Sequence, residues 1–204
     1  MRRNLLLIAF ALLATNAYSA SKKTVLVLGD SLSAEYGLAR GAGWVALLER
    51  RLKVQNIDAV VVNASISGET TSGGKARLPA LLDKFHPALV VIELGGNDGL
   101  RGLPLSASEA NLRAMISAAQ HAKAKKYYWS ACKFRPITAA TTRKKFAALY
   151  GKLARDAKAP LVPFLLKDVA DQPQLFQADR IHPTAAAHPI MLDNVWPQLQ
   201  PLLK

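Results

Sequence analysis

Five short apolar runs, each followed by a stretch with helical spacing, restrict this chain to a narrow set of folds. The first is Thr24-Val25-Leu26-Val27-Leu28, which is continuous rather than alternating and ends at Gly29-Asp30-Ser31. Continuous runs of this length suit strands buried on both faces of a parallel sheet. Four more follow at Ala59-Val60-Val61-Val62, Ala88 to Leu94, Tyr127 to Cys132 and Leu161 to Phe164. Between them, Trp44, Val45, Leu47, Leu48 and Leu52 fall at helical spacing with Glu49, Arg50 and Arg51 turned away. Leu78, Leu81, Leu82 and Phe85 mark a second helix that stops at His86-Pro87. Ser106-x-x-Glu109 reads as a capping box that opens a helix through His121. Thr142 to Ala157 forms the next helix, and a last helical stretch runs towards Leu203, interrupted by Pro189 and Pro197. Strand and helix thus alternate throughout. The right-handed crossover rule then predicts one α/β domain with an open, doubly wound, five-stranded parallel sheet. Such sheets bind their ligands at the carboxyl ends of the strands.

Composition agrees with a single domain. The chain has 204 residues, half of them apolar, enough for a sizeable core. With 20% charged residues, 12 Gly and 11 Pro, it is not collagen, a coiled coil or a low-complexity chain. The single cysteine, Cys132, excludes an intramolecular disulfide and a cysteine metal cage. The net charge of +13 permits attraction to anionic lipid surfaces or other polyanions and is silent on fold.

The amino terminus has the pattern of an export leader. Met1-Arg2-Arg3-Asn4 is a positive start, Leu5 to Leu13 is an apolar run too short to span a bilayer, and Ala17-x-Ser19 suits a signal peptidase. The expectation is a leader over 1–19, a single domain over 20–204 and a periplasmic or secreted location without a transmembrane anchor. Loss of Arg2 and Arg3 would leave a charge of about +11. The alternative is an ordinary buried helix.

Four strand ends carry residues with chemistry. They are Gly29-Asp30-Ser31-Leu32-Ser33, then Asn63-Ala64-Ser65-Ile66-Ser67-Gly68-Glu69-Thr70, then Glu93-Leu94-Gly95-Gly96-Asn97-Asp98, then Asp179-Arg180-Ile181-His182-Pro183. Brought to one rim they supply the parts of serine acyl transfer. Ser31 needs a base to take its proton, His182 can be that base, and Asp179 can orient the imidazole. The Ser31 and Gly68 N–H groups and the Asn97 amide can receive the oxyanion. Each residue alone has a plainer reading: Ser31 as a helix cap, Gly68 and Gly95-Gly96-Asn97-Asp98 as turns, Asp179-x-x-His182 as a surface Asx-turn. Their joint order at successive strand ends favours the catalytic one.

With these blocks in view, the chain resembles the GDSL or SGNH hydrolases, in particular the secreted bacterial group with acyl-CoA thioesterase, lysophospholipase and arylesterase activities. The resemblance runs from Thr24 to Leu203. It implies a flavodoxin-like α/β/α sandwich. It also implies a triad of Ser31, Asp179 and His182, an oxyanion hole of Ser31, Gly68 and Asn97, and neither metal nor cofactor. The implied partner is a small acyl ester or thioester such as a lysophospholipid or acyl-CoA, with no nucleic acid. Two places depart from the family. The segment 127–138 is bulkier and more basic than usual, so acyl preference does not carry over, and Arg180 stands where glycine is common.

Other readings fit less well. No serine lies in G-x-S-x-G. Gly41-Ala42-Gly43-Trp44-Val45-Ala46 lies too far from the first strand for a dinucleotide turn, and Gly68 to Lys75 misses P-loop spacing and is followed by Ala76. His182 and His188 lack a third metal ligand at recognisable spacing. A polyanion-binding protein could use Arg50, Arg51, Lys53, Lys123, Lys125, Lys126, Arg143, Lys144 and Lys145 but would not need the triad. Within the family, an acetylesterase acting on carbohydrate is the nearest alternative. A groove for an acyl chain is expected from Leu32, Ile66, Leu100, Leu103, Phe134 and Ile137, with Lys133, Arg135 and Arg180 beside it.

Overall fold

A computed structural model describes residues 22–122, 126–130 and 140–203. The expected leader and the 131–139 part of the basic loop, with Phe134, Ile137, Lys133 and Arg135, lie outside the described residues. Strands β1 (Lys23–Gly29), β2 (Ala59–Asn63), β3 (Leu89–Glu93), β4 (Lys126–Ser130) and β5 (Leu161–Val162) form one sheet in the order β2-β1-β3-β4-β5. Every neighbouring pair is parallel, and Gly29 stands opposite Glu93 in the β1–β3 register. The connecting helices are α1 (Trp44–Val54), α2 (Thr71–Phe85), α3 (Gly96–Leu100), α4 (Leu105–His121), α5 (Ala140–Ala157) and α6 (His188–Leu203).

The two-residue alternation of β1 and β3 divides the core. Val25, Val27, Leu89 and Val91 face α1 and α6, where Leu48, Leu52, Met191, Val195 and Leu199 meet them. Leu26, Leu28, Val90 and Ile92 face α2, α4 and α5, where Leu78, Leu82, Leu112, Met115 and Leu153 meet them. Both faces of the central strands are therefore dry, which is why their sequences are continuous rather than alternating. The three-layer α/β/α fold is the one expected.

Several local expectations need correction. Strand β5 ends at Val162, not Phe164, and β4 starts at Lys126. Helix α5 starts at Ala140. The capping box does not form. Helix α4 starts at Leu105 with Pro104 at its N-cap, so Ser106 already lies inside the first turn. Glu109 instead pairs with Arg113 and Lys152. Helix α6 is not interrupted. Pro189 sits in its first turn, where the missing N–H has no partner to lose. Pro197 and Pro201 are exposed and four residues apart, so the carbonyls they leave unbonded face water. The short α3 was read only as a turn, since five residues carry no helical periodicity.

His188, the first residue of α6, locks that helix to α1. It is buried, and its Nδ1 accepts from the Trp44 N–H at 2.9 Å. Burial pushes the imidazole down to about 4, against a smaller upward pull from Glu35. Unfolded, the same ring takes a proton near its ordinary value of 6.5. Between those values the unfolded chain binds more protons, so stability must fall as pH drops. Equilibrium urea unfolding across this window should show a slope approaching about 1.4 kcal/mol per pH unit from this group. His188→Asn, which keeps an acceptor and cannot titrate, should flatten it.

Candidate active site

The carboxyl ends of the strands meet at one rim, and each of the five predicted residues, Ser31, Gly68, Asn97, Asp179 and His182, is there. Ser31 lies in the turn after β1. It does not cap α1, which starts at Trp44. The Leu32 N–H donates to Asp30 Oδ1 at 3.1 Å, and Ser33 Oγ donates to Glu93 Oε2 at 2.9 Å. The turn is therefore tied to the end of β3.

His182 and Asp179 arrive on a looped segment late in the chain. Phe176 bridges Pro183, the Gln177 N–H donates to the His182 carbonyl at 2.8 Å, and the Thr184 N–H donates to the Leu175 carbonyl at 2.8 Å. Inside this loop, Asp179 Oδ1 accepts from the N–H groups of Ile181 at 2.9 Å and His182 at 3.0 Å. Arg180 takes the turn with φ +57°, the left-handed region that glycine occupies freely. Its N–H still bonds the Gln177 carbonyl at 2.8 Å, so arginine accepts the strain without opening the loop.

The result is a hydrogen-bonded relay. His182 Nδ1 is 2.6 Å from Asp179 Oδ2, and His182 Nε2 is 2.9 Å from Ser31 Oγ. Burial raises the Asp179 carboxyl, but the bonds from the His182 ring and from the His182 and Ile181 N–H groups outweigh it and hold it at about 2. Asp179 is thus anionic wherever the imidazole can work as a base. Tyr36 packs on the His182 ring, with centroids 4.2 Å apart and planes tilted by 38°. Its carbonyl accepts from Gln177 Nε2 at 2.8 Å, so the catalytic-side turn and the histidine loop brace each other.

The remaining donors bracket Ser31. Gly68 has φ +79°, which only glycine takes without strain, and Arg101 Nη2 donates to its carbonyl at 2.9 Å. Asn97 follows Gly95, whose φ is +110° and whose missing Cβ would run into the Tyr150 hydroxyl. The Asn97 amide donates to the Glu69 carbonyl at 2.9 Å and to Asp30 Oδ2 at 3.3 Å. Its two partners are the chain neighbours of Gly68 and Ser31, so the amide stands between them. Among the described residues, neither the Ser31 nor the Gly68 N–H has a hydrogen-bond partner. Asp98 anchors this corner, accepting from the Thr71 N–H at 2.9 Å and Ser108 Oγ at 3.0 Å.

Residues 27–190 match the GDSL-like lipase/acylhydrolase family. The chain belongs to that family. As a GDSL-like acylhydrolase it is an ester hydrolase, and its relatives have the same kind of name. It is 47% identical to the esterase TesA of Pseudomonas aeruginosa, over 98% of this chain and 100% of that one. It is 41% identical to the thioesterase 1/protease 1/lysophospholipase L1 of Escherichia coli, over 91% of this chain and 87% of that one. It superimposes on the psychrotrophic esterase EstA of Pseudoalteromonas, solved in a form inhibited by monoethylphosphonate, with a TM-score of 0.83 and 38% identity. That match covers 89% of this chain and 98% of the other.

Three contributors to this acylhydrolase site were not anticipated. Glu93 was legible as a lone carboxylate closing an apolar strand. Tyr36 and Arg101 had no signal, because a turn residue's reach depends on the loop it faces. Leu32, expected in the substrate groove, is partly buried against the α1–α6 core.

Proposed function

We propose that this chain hydrolyses acyl esters and thioesters through an acyl-enzyme on Ser31. The supporting observation is the relay of Asp179 Oδ2, the His182 ring and Ser31 Oγ, with bonds of 2.6 and 2.9 Å. His182 takes the Ser31 proton as Oγ adds to the acyl carbonyl, and Asp179 stabilises the imidazolium. The Ser31 and Gly68 N–H groups and Asn97 Nδ2 receive the oxyanion. His182 then protonates the departing alcohol or thiol. Water, deprotonated by the same imidazole, releases the acid and restores Ser31.

The preferred substrate carries a hydrocarbon acyl chain and an anionic head, as a lysophospholipid or acyl-CoA does. Tyr36, Ile66, Leu103 and Ile181, in loops near the relay, and Leu100, at the end of α3, are exposed although apolar. An open hollow of ≈180 Å³ between Gly99, Leu103, Leu105 and Phe146 extends this surface. Exposed Arg101 and Arg180 stand on the same loops, and the net charge is +13. A basic rim speeds encounter with anions, an effect screened over about 10 Å at 0.1 M salt. Added salt should therefore lower kcat/KM for an anionic lysophospholipid and leave a neutral nitrophenyl ester nearly unchanged. Equal slopes, or preference for acetylated sugars, would favour the carbohydrate acetylesterase instead.

The location proposed is periplasmic or secreted, with residues 1–19 removed and a single domain over 20–204. No described helix is long and apolar enough to cross a membrane. Intact mass of the exported protein should correspond to a start at Ala20, and retention of Met1 would refute the leader.

A further inference from the structure

Beneath the nucleophile turn lie two carboxyl groups that the acyl-transfer steps do not use. Asp30 and Glu93 are 2% and 0% exposed. The Asp30 N–H donates to Glu93 Oε2 at 3.3 Å, which sets the two carboxyl groups side by side. Gly29 shows that the arrangement is built in: a Cβ there would lie 2.9 Å from Glu93 Oε2, in space the carboxyl already fills. Ser33 Oγ donates to the same oxygen at 2.9 Å and receives the Trp44 indole N–H at 3.2 Å. On its other side, Asp30 accepts from the Leu32 N–H and the Asn97 amide. The pair thus touches both the turn that carries Ser31 and the amide that faces the oxyanion.

We propose that Asp30 and Glu93 act together as a proton-sharing positioning pair that aims the Asn97 amide and holds the Ser31 turn, with one negative charge between them. Two buried carboxylates in contact cannot both ionise cheaply. Burial first, and then Glu93, push the Asp30 carboxyl well above its usual range, while His182 draws it down. Glu93 and His182 are the titratable groups acting on it. Asn97 has both its amide protons committed, to Glu69 and Asp30. With one proton in the pair, Asp30 is a weak acceptor for Asn97, so the amide can pass that hydrogen bond to the oxyanion. The remaining single charge favours the imidazolium on His182. A second negative charge would bind Asn97 more tightly and oppose the oxyanion.

The inference rests on the Ser31 mechanism, and the test separates the two. Glu93→Gln leaves one charge in the pair and keeps an acceptor for Ser33 and the Asp30 N–H, so it should lose less kcat than Glu93→Ala. Glu93→Ala leaves the Asp30 N–H and Ser33 unpaired and should lower kcat about 10- to 100-fold with KM little changed. Wild type should lose kcat on the alkaline side as the shared proton leaves, and Glu93→Gln should not. Infrared spectra at neutral pH should show a protonated carboxyl band that disappears in both Glu93→Gln and Asp30→Asn. Persistence of that band in both variants, or a Glu93→Gln loss as large as that of Glu93→Ala, would overturn the pair. Either result with Ser31 still labelled by a fluorophosphonate would leave the nucleophile assignment standing. Should Glu93→Ala fail to fold, the Gln variant and the band still decide.

Discussion

Ser31→Ala should lower kcat on a chromogenic short-chain ester by at least about 10⁴-fold, and His182→Ala should do the same. The alanine at 31 has no oxygen to form the acyl-enzyme. The alanine at 182 leaves the hydroxyl at its ordinary, unreactive pKa. Because both residues serve one step, the double variant should be no worse than either single one. A fluorophosphonate should form one adduct on wild type, on the peptide that contains Ser31, and none on Ser31→Ala. Unfolding midpoints should be near wild type, since the Ser31 hydroxyl's partner is His182, on a loop also held by Gln177 and Asp179. Near-wild-type turnover by Ser31→Ala, or labelling elsewhere, would refute the assignment.

Asn97→Ala should cost about 10²- to 10³-fold in kcat with KM little changed, the usual result of removing one oxyanion donor. The Asn97 amide bonds the Glu69 carbonyl and Asp30, groups on either side of the reaction centre. Its loss therefore has a structural part, and Asn97→Asp separates the two. Aspartate matches the shape but puts an acceptor, and a charge, where a donor is needed. It should be at least as inactive as alanine. If both variants keep more than a tenth of the activity, the backbone N–H groups of Ser31 and Gly68 carry the oxyanion alone.

The layered fold was legible because burial on both faces writes itself into β1 and β3 as unbroken apolar runs. The candidate site residues could be picked out because topology puts strand ends on one rim: Ser31, Gly68 and Asn97 follow such ends directly, and His182 follows after a longer loop. What stayed hidden depended on three-dimensional neighbours. Ser106 and Glu109 have capping-box spacing, yet the chain enters α4 two residues earlier, with Pro104 rather than Ser106 at the N-cap. Pro189 and Pro197 look like helix breakers until Pro189 falls in the first turn of α6 and Pro197 on its exposed side. Tyr36 meets His182 only through a fold-back spanning most of the domain.

That fold-back also sets a clock. Ser31 and His182 are 151 positions apart, and the histidine comes on the last loop before the terminal helix. Under the proposed mechanism, a nascent or unfolded chain holds the hydroxyl early but no base beside it, so it is chemically silent. Activity must appear at once, when the last segment docks onto a sheet already formed, and not in proportion to the length of chain folded. Refolding followed by ester turnover should therefore lag behind the recovery of helical signal, and a chain stopped before Asp179 should be inert however much of its sheet has assembled.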